Sequence, residues 1–477
     1  MSAALPEGFP LEPTADQGRA MGDAVLSYLL DFLQGLEQAP ASNLDDAVKF
    51  ARTLREPVPQ RGHTDFGQVL ATVREAATHG FETAGPGYLA YIPGGGLFSA
   101  ALADFIATCV NRFVNVWNAA PAFAQIETTA VDWIRELFGL PNDGGGILTS
   151  GGSMANFSAL VTARRAKLPE DFMRGTIYAS DQTHASVAKA AMLAGFPTAN
   201  IRALPTDERL RIDPPALLAA VDRDRSDGFT PFCVIANAGT TNTGAVDPID
   251  EVAEIAKQRE LWLHVDAAYG GFFQLTDRGR EAFRGIERAD SITLDPHKGM
   301  FLPYGTGCLL VRDRALLRHA HQVEAAYLQD LGAEEEIPNF SDYSPELSRD
   351  FRGLRVWLPL KLHGLGAFRD ALDEKLDLTR VLYEGLEETP GFELPWEPQL
   401  TVVPFRYRPQ AGDGDMFNRR LLATINASKR VFLSSTMIDG RFTIRACIVS
   451  HRTHRDRIDE ALDIIRRSAA DLAAGSG

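Results

Sequence analysis

The sequence predicts an α/β protein with a mainly parallel central sheet, preceded by a helical segment and followed by a small α+β domain. Short apolar segments alternate with helical patterns through the middle of the chain, which is typical of βαβ units. Before them, apolar residues recur only at helical spacing, and after them strand and helix patterns mix in a different rhythm. We therefore predict three units, at 1–85, 86–370 and 371–477.

The N-terminal segment contains two helical patterns separated by a turn-rich stretch at 56–62. The first pattern has apolar residues at helical spacing, namely Val25, Leu26, Leu29, Leu30, Leu33 and Leu36. The second covers 65–81. Each has an apolar face but too little mass for a core of its own, so we expect both to pack on another body such as a second subunit.

The central unit contains apolar segments that we predict as strands, at 146–150, 176–180, 232–238, 261–268, 291–296 and 307–313. Helical patterns between several of them predict crossover connections, and hence a largely parallel sheet. Ligands of such sheets bind at the carboxyl ends of the strands. Residues 325–350 are polar and poorly periodic, so we predict a long loop there, which is often a functional lid.

Composition and cysteine usage exclude several classes of protein. The formal net charge of −15 disfavours nucleic acid and anionic membrane surfaces as partners. The cysteines form no CxxC pair, and His319/His321 and His451/His454 lack a convincing ligand pattern nearby, so we expect no metal site. We see no signal peptide and no apolar run long enough to span a bilayer. We expect a cytoplasmic protein.

Two candidate reactive groups follow predicted strands. Lys298 lies at the end of the strand at 291–296, and Asp266 lies near the end of 261–268, which is 298 − 266 = 32 residues earlier. One strand–helix–strand step of this length brings both groups to neighbouring strand ends. A lysine amine forms the Schiff base of pyridoxal 5′-phosphate, and a buried carboxylate pairs with its pyridinium nitrogen. The alternatives are that Lys298 lies in a surface turn and that Asp266 pairs with a helix N-terminus or with a structural arginine.

A glycine-rich turn offers an anion site. In GGGILTSGGSMANF, the N–H groups of Gly151, Gly152 and Ser153 precede a predicted helix and suit a phosphate ester. The stretch has neither the GK[ST] of a Walker loop nor the GxSxG of a nucleophile elbow. The alternative is an ordinary capped helix.

Other polar residues follow neighbouring strands. His184, in YASDQTHASVAKA, can stack on a cofactor ring or contact a substrate carboxylate. Thr241, in NAGTTNTG, can bond the ring hydroxyl, and Ala268 leaves room for a flat ring. The alternatives are a histidine with a local hydrogen bond and a turn-stabilising threonine.

Together these segments resemble the group II pyridoxal-phosphate decarboxylases, the family of aromatic-L-amino-acid, histidine and glutamate decarboxylases. The resemblance covers nearly the whole chain and rests above all on SDQTHASV (180–187), HVDAAYGG (264–271) and DPHKG (295–299). It implies the type I pyridoxal-phosphate (aspartate aminotransferase-like) fold. It also implies an obligate homodimer with active sites at the interface, and an N-terminal segment that wraps onto the partner.

The resemblance assigns roles by motif position. Lys298 matches the Schiff-base lysine, Asp266 the pyridinium partner and His184 the stacking histidine. The other cofactor contacts that it implies are Ala268 under the ring, Thr241 near the ring oxygen, Gly152 and Ser153 at the phosphate, and His297 beside the lysine. Tyr327 falls where aromatic decarboxylases carry a loop tyrosine that protonates carbon after carbon dioxide leaves, and relatives that form aldehydes lack it. The alternative for Tyr327 is a packed loop aromatic.

Some positions depart from the family pattern. Gly299 stands where many relatives have a bulky residue, and Asp295 stands where many have asparagine, which adds a negative charge beside the cofactor. Asn115 is polar in a region that shapes the substrate pocket of aromatic decarboxylases. With Tyr91 and Pro93, it is our predicted substrate-contacting set. These departures leave the cofactor assignment intact and weaken the assignment of a substrate.

The predicted function is pyridoxal-phosphate-dependent decarboxylation of an L-amino acid, with an aromatic substrate as the first choice. Acidic substrates such as glutamate are less favoured, because no arginine clamp stands out. The alternatives are another pyridoxal enzyme (an aldehyde synthase, a carbon–carbon lyase or an aminotransferase) and a non-catalytic scaffold that keeps the fold.

Overall fold

The computed structural model describes residues 11–60, 62, 65–323 and 338–475. Its N-terminal segment contains the helices α1 (Ala15–Gly35), α2 (Ala47–Thr53) and α3 (Phe66–Ala77) and the short antiparallel strands β1 (Ser42–Asn43) and β2 (Gly80–Phe81). A capping box of Thr14 and Gln17 starts α1. The sequence does not predict α2 or these strands, because such short elements show little periodicity.

The central sheet consists of β3 (Gly145–Thr149), β4 (Gly175–Ser180), β5 (Ile201–Leu204), β6 (Thr230–Asn237), β7 (Trp262–Ala267), β8 (Ser291–Leu294) and β9 (Gly307–Val311). Its order is β3-β9-β8-β7-β6-β4-β5. The strands from β8 to β5 run parallel, and β9 is antiparallel to both of its neighbours. The mainly parallel sheet is therefore confirmed, although the sequence does not predict the short edge strand β5.

The helices that accompany this sheet are α4 (Phe98–Val110), α5 (Pro121–Leu137), α6 (Gly152–Lys167), α7 (Ala185–Leu193), α8 (Pro214–Ser226), α9 (Ile249–Gln258), α10 (Asp277–Ala282), α11 (Pro296–Gly299) and α12 (Arg314–His321). Each face has its own core cluster. Along β7, Leu263 and Val265 belong to one cluster and Trp262 to the other, which also contains α6 residues. Strand alternation therefore places His264 and Asp266 on the α6 face.

The long helix α13 (Gly353–Glu387) leads to a small antiparallel sheet of β10 (Phe392–Glu393), β11 (Val402–Tyr407), β12 (Ser434–Ile438) and β13 (Arg441–Cys447). The helices α14 (Gly414–Ala427) and α15 (Arg455–Ala474) share a third core cluster with this sheet. The predicted unit boundary at 370/371 falls inside α13, whose helical geometry breaks at Gly364 (φ 72°, ψ 159°). Across the described ranges, every helix is too short or too polar to cross a membrane.

Candidate active site

Five predicted site residues meet at the carboxyl edge of the central sheet. Asp266 lies near the end of β7 and Lys298 lies in α11, directly after β8. His184 precedes α7, and Thr241 follows β6. They line one cavity, whose residues are His184, Asn237, Gly239, Thr240, Thr241, Asp266, Ala268, Tyr269 and Lys298. Crossover connections that bring parallel strand ends to one edge explain why residues so far apart in sequence converge here.

Asp295 is the ion-pair partner of Lys298. The Lys298 Nζ atom lies 2.9 Å from Asp295 Oδ2, while Oδ1 of this buried carboxylate has no hydrogen-bond partner among the described residues. The His297 Nε2 atom lies 3.7 Å from Asp295 Oδ2. His297 Nδ1 contacts the Thr306 carbonyl oxygen at 2.8 Å, so it must be the donor there. Burial lowers the pKa of His297. A carboxylate with an unused oxygen therefore stands beside the candidate amine.

The glycine turn lies directly against this carboxylate. Gly151 has a φ of +154°, and α6 begins at Gly152. A Cβ atom added to Gly152 would lie 3.0 Å from Asp295 Oδ2 and 3.1 Å from the Ala268 Cβ, so glycine allows a close approach here. The N–H groups in the first turn of a helix have no acceptor within that helix. The N–H groups of Gly152 and Ser153 thus form a potential anion site next to the cavity, while the Gly151 N–H donates to Thr149 Oγ1 at 3.4 Å.

Asp266 is held by donors from two elements. Its Oδ2 atom accepts from Asn156 Nδ2 at 3.0 Å, and its Oδ1 atom accepts from the Ala268 N–H at 3.2 Å. The residue is only 6% exposed. A carboxylate in this setting has a fixed orientation at the edge of the cavity.

His184 and Thr241 are tied to their surroundings locally. His184 caps α7: its Nδ1 atom accepts from the Ser186 N–H at 3.2 Å and lies 2.8 Å from Ser186 Oγ. The Thr241 carbonyl accepts from Arg445 Nη2 at 2.6 Å. The local hydrogen bond that the sequence allows for His184 is thus present, and the same residue lines the cavity.

The predicted substrate residues divide into two groups. Tyr91 has a left-handed φ of 53°, and its backbone is held by Ser434 Oγ and by Arg445 Nη2, each at 3.1 Å. Tyr91 and the buried Pro93 belong to a segment that passes the Lys298 turn so closely that a Cβ atom on Gly94 would lie 2.0 Å from the His297 carbonyl oxygen.

Asn115 is placed elsewhere. Its Nδ2 atom donates to the carbonyls of Glu346 and Leu347 at 3.2 and 2.9 Å, and it is not among the residues that line the cavity around Lys298. Asn115 therefore holds the loop before α13, and its predicted contact with substrate gains no support from this placement. Tyr327 lies outside the described residues.

Other residues of the site are not apparent from the sequence. Asn237 lines the cavity, and its Nδ2 atom donates to Thr183 Oγ1 at 3.0 Å and to Asp247 Oδ2 at 2.8 Å. Burial raises the pKa of Asp247 to about 6 against the opposing effect of its hydrogen bonds. Tyr269 also lines the cavity, and burial raises its pKa. A polar residue at the end of an apolar strand, such as Asn237 in β6, is a usable sequence signal for such sites. No local sequence pattern reveals Arg445, which donates to the Thr241 carbonyl.

The pyridoxal-dependent decarboxylase conserved domain matches residues 50–408 of the chain. The chain belongs to the pyridoxal-dependent decarboxylases. It is 36% identical to an aromatic-L-amino-acid decarboxylase of Bacillus atrophaeus, over 97% of this chain and 98% of the relative. It is 29% identical to tryptophan decarboxylase 1 of Oryza sativa subsp. japonica, over 98% of this chain and 96% of the relative. A crystal structure of Oryza sativa TDC with PLP and tryptamine has a TM-score of 0.91 and 29% identity, and the match covers 97% of this chain and 100% of that one.

These similarities confirm that this decarboxylase is a carboxy-lyase of the type I pyridoxal-phosphate fold and that its cofactor is pyridoxal phosphate. The residues present fit that cofactor. The cavity offers an amine, a carboxylate and an imidazole, the N–H groups of a glycine turn lie beside it, and Asp295 Oδ1 is a buried acceptor with no donor in the described chain. These are the chemical groups that a Schiff base, a pyridinium nitrogen and a phosphate ester require.

Proposed function

We propose that this decarboxylase converts an aromatic L-amino acid to the corresponding amine and carbon dioxide. The observation that carries the proposal is the joint placement of Lys298, Asp266 and His184 around one cavity. The aromatic class is supported by the relatives, which are named for aromatic amino acids. It is also supported by Tyr91, which is 55% exposed and lies three residues before Gly94, the residue that packs against the His297 carbonyl.

The roles of the cavity residues follow from their chemistry. The Lys298 amine would bind the cofactor covalently, and the Asp266 carboxylate would hold a proton on the ring nitrogen. His184 would pack on the ring, with Ala268 leaving space for its other face. Pyridoxal phosphate, when bound, accepts the electron pair of the breaking bond between Cα and the carboxylate.

The remaining contacts would orient the cofactor and the substrate. The N–H groups of Gly151, Gly152 and Ser153 would bind the phosphate, and Thr241 would lie near the ring oxygen. His297 and Asp295 would contact the cofactor beside Lys298. The proposed substrate contacts are Tyr91, Pro93 and Asn115.

Tyr327 would supply the proton that replaces the lost carboxylate on Cα. This role rests on the resemblance of the sequence around Tyr327 to that of the aromatic decarboxylases. Closure of a loop over such a site would exclude water and suppress formation of aldehyde.

We also propose that the protein is a cytoplasmic homodimer divided into the units 1–85, 86–370 and 371–477. α1 contains no buried residue, although Leu26, Leu29 and Leu30 lie on it. α4 likewise exposes Leu102, Phe105 and Ile106. Apolar surface of this kind is typical of a subunit interface.

The test is a decarboxylation assay across the proteinogenic L-amino acids, with amine and carbon dioxide both measured. We expect turnover with one or more aromatic substrates. Lys298→Ala should abolish turnover and the covalent label that borohydride reduction leaves on the cofactor-loaded protein, while Lys257→Ala, which removes an exposed lysine of α9, should leave both unchanged.

Three results would contradict the proposal. Amine release by Lys298→Ala would remove the assigned role of the lysine. Turnover restricted to acidic substrates would refute the aromatic class. Production of aldehyde with hydrogen peroxide, or a requirement for a keto acid, would identify a different pyridoxal enzyme.

A further inference from the structure

A continuous chain of buried hydrogen bonds leads to Asp266 from the interior of the sheet. Trp262 Nε1 donates to Ser291 Oγ at 2.8 Å, and Ser291 Oγ lies 2.8 Å from His264 Nδ1. His264 Nε2 lies 3.0 Å from Asn156 Oδ1, and Asn156 Nδ2 donates to Asp266 Oδ2 at 3.0 Å. The first four residues are at most 2% exposed and Asp266 is 6% exposed. This chain of hydrogen bonds is therefore shielded from water along its whole length.

The direction of donation along this chain follows from the chemistry of its members. Asn156 Nδ2 donates to Asp266 and also contacts Ser186 Oγ at 3.0 Å, so Asn156 Oδ1 is the acceptor that faces His264. His264 Nε2 must then carry the ring proton. Burial lowers the pKa of His264 to about 4, so the ring is neutral near neutral pH and its Nδ1 atom accepts from Ser291. The donors from Trp262 to Asn156 thus all point toward the Asp266 carboxylate.

Asn156 also connects the two sides of the cavity. Ser186 Oγ, which contacts Asn156 Nδ2, lies 2.8 Å from His184 Nδ1. One amide group on α6 therefore contacts the carboxylate directly and the imidazole through a single hydroxyl. A change at Asn156 reaches both groups at once.

We propose that Asn156 and His264 are positioning residues, which hold the Asp266 carboxylate in the orientation needed to keep the ring nitrogen of bound pyridoxal phosphate protonated. This proposal rests on the proposed function, in which Asp266 faces that nitrogen. Aligned hydrogen bonds strengthen one another in a site of low dielectric constant. Asn156 is the last donor of the hydrogen-bond chain. Its removal should therefore affect the charge of the cofactor ring more than the fold of the protein.

The test uses the holoenzyme loaded with pyridoxal phosphate that is isotopically labelled at the ring nitrogen. In Asn156→Ala we expect the nitrogen NMR resonance to move toward the unprotonated position and kcat to fall by roughly tenfold or more, as for loss of one hydrogen bond to a charged group, with a smaller change in KM. His264→Phe should move the resonance in the same direction. In His264→Gln, which keeps an N–H donor, the resonance should lie closer to its wild-type position than in His264→Phe.

A matched control is Asn200→Ala. Asn200 is a buried asparagine whose Nδ2 atom donates to the carbonyls of Met173 and Gly175, away from the cavity. Its loss should lower Tm without moving the nitrogen resonance. If Asn156→Ala does not fold, the pair His264→Phe and His264→Gln performs the same test.

The outcomes separate this proposal from the proposed function. An unchanged resonance and unchanged kcat in folded Asn156→Ala and His264→Phe would overturn the positioning role. Asp266→Asn provides the second comparison. If that variant also keeps the ring nitrogen protonated, the assignment of Asp266 itself has failed, and the positioning proposal fails with it.

Discussion

His264 lies two positions before Asp266 on the same face of β7, yet both of its ring nitrogens contact protein groups and the residue is only 1% exposed. Asp295 shows the opposite situation, since one of its oxygens contacts Lys298 and the other has no partner in the described chain. At the scale of single residues, the hydrogen-bond environment therefore separates a histidine that supports the site from an aspartate that is open to a ligand.

The protonation of His264 should be visible in the stability of the protein. Burial lowers its pKa from 6.5 to about 4, so between these values the unfolded chain binds the proton more strongly than the folded chain. This contribution to stability is therefore lost as the pH falls through that range and is regained as the pH rises. The loss amounts to about 2 kcal/mol between about pH 7 and about pH 5.

His264→Gln removes this titration, so its stability relative to the wild type should improve on acidification. Thermal unfolding of both proteins at the two pH values measures the difference. His319→Gln, which replaces an exposed histidine of α12, should keep the pH dependence of the wild type. Parallel curves for His264→Gln and the wild type would show that His264 does not titrate in this way.

Tyr327 provides a second prediction at the residue scale, based on the sequence alone. If its hydroxyl delivers the proton to Cα, Tyr327→Phe should lower amine formation by roughly a hundredfold, within the range of general acid catalysis. The variant should also release aldehyde and hydrogen peroxide in the presence of oxygen. Chromatography of the amine and the aldehyde, with a peroxide assay, measures the ratio of products. Undiminished amine release would remove Tyr327 from the mechanism.

At the scale of elements, the segment before α4 and the turn at α11 pack backbone to backbone. The Leu97 N–H donates to the Phe301 carbonyl at 2.7 Å, and Gly94 lies against the His297 carbonyl. This contact is possible because Gly94 has no side chain. The position of Tyr91 relative to Lys298 therefore depends on a packing contact between two elements.

Gly94→Ala should separate these two elements. The added Cβ atom would lie 2.0 Å from the His297 carbonyl oxygen, so the backbone must shift. We expect stability to fall by about 1–3 kcal/mol and kcat/KM to fall by roughly tenfold to a hundredfold. Steady-state kinetics and thermal unfolding measure both effects. Gly366→Ala on α13, where the added Cβ atom meets only an arginine side chain at 3.5 Å, is the control, and equal kinetics for the two variants would contradict the prediction.

At the scale of the whole molecule, the chain contains two well-packed bodies and an N-terminal segment with little buried surface of its own. In the described residues of α1 no side chain is buried, and the contacts of residues 37–45 with the small domain include the hydrogen bond from Arg457 Nη2 to the Glu37 carbonyl at 2.7 Å. α4 leaves Phe105 65% exposed. This distribution of apolar surface is the reason to expect a second copy of the chain.

Phe105→Glu should weaken the proposed dimer. A charge at the centre of a buried apolar contact is costly to desolvate, so the molar mass in solution should shift toward the monomer value and cofactor binding should weaken with it. Light scattering after size-exclusion chromatography measures the mass. Met173→Glu, at an exposed apolar residue before β4, serves as the control. A wild-type protein that is itself monomeric would refute the dimer.

Six of the seven strands of the central sheet, and Lys298, Asp266 and His184 as candidate site residues, can be predicted from the sequence. Apolar runs, helical spacing and short motifs are local properties, so they can be found without knowledge of the fold. The same properties miss β5, of whose four residues only Leu204 is buried, and they do not reveal the hydrogen-bond partners of Asn115, which lie more than two hundred positions later in the chain.

How the candidate residues are held depends on contacts that form only in the folded chain. Asn156 reaches Asp266 across 110 positions and His264 across 108, and Arg445 reaches the Thr241 carbonyl across 204. Each of these contacts depends on which strands are neighbours, on their register and on the helix that packs over them. A hydrogen bond requires an approach of about 3 Å, and for residues so far apart in sequence that distance is set by the packing of whole elements.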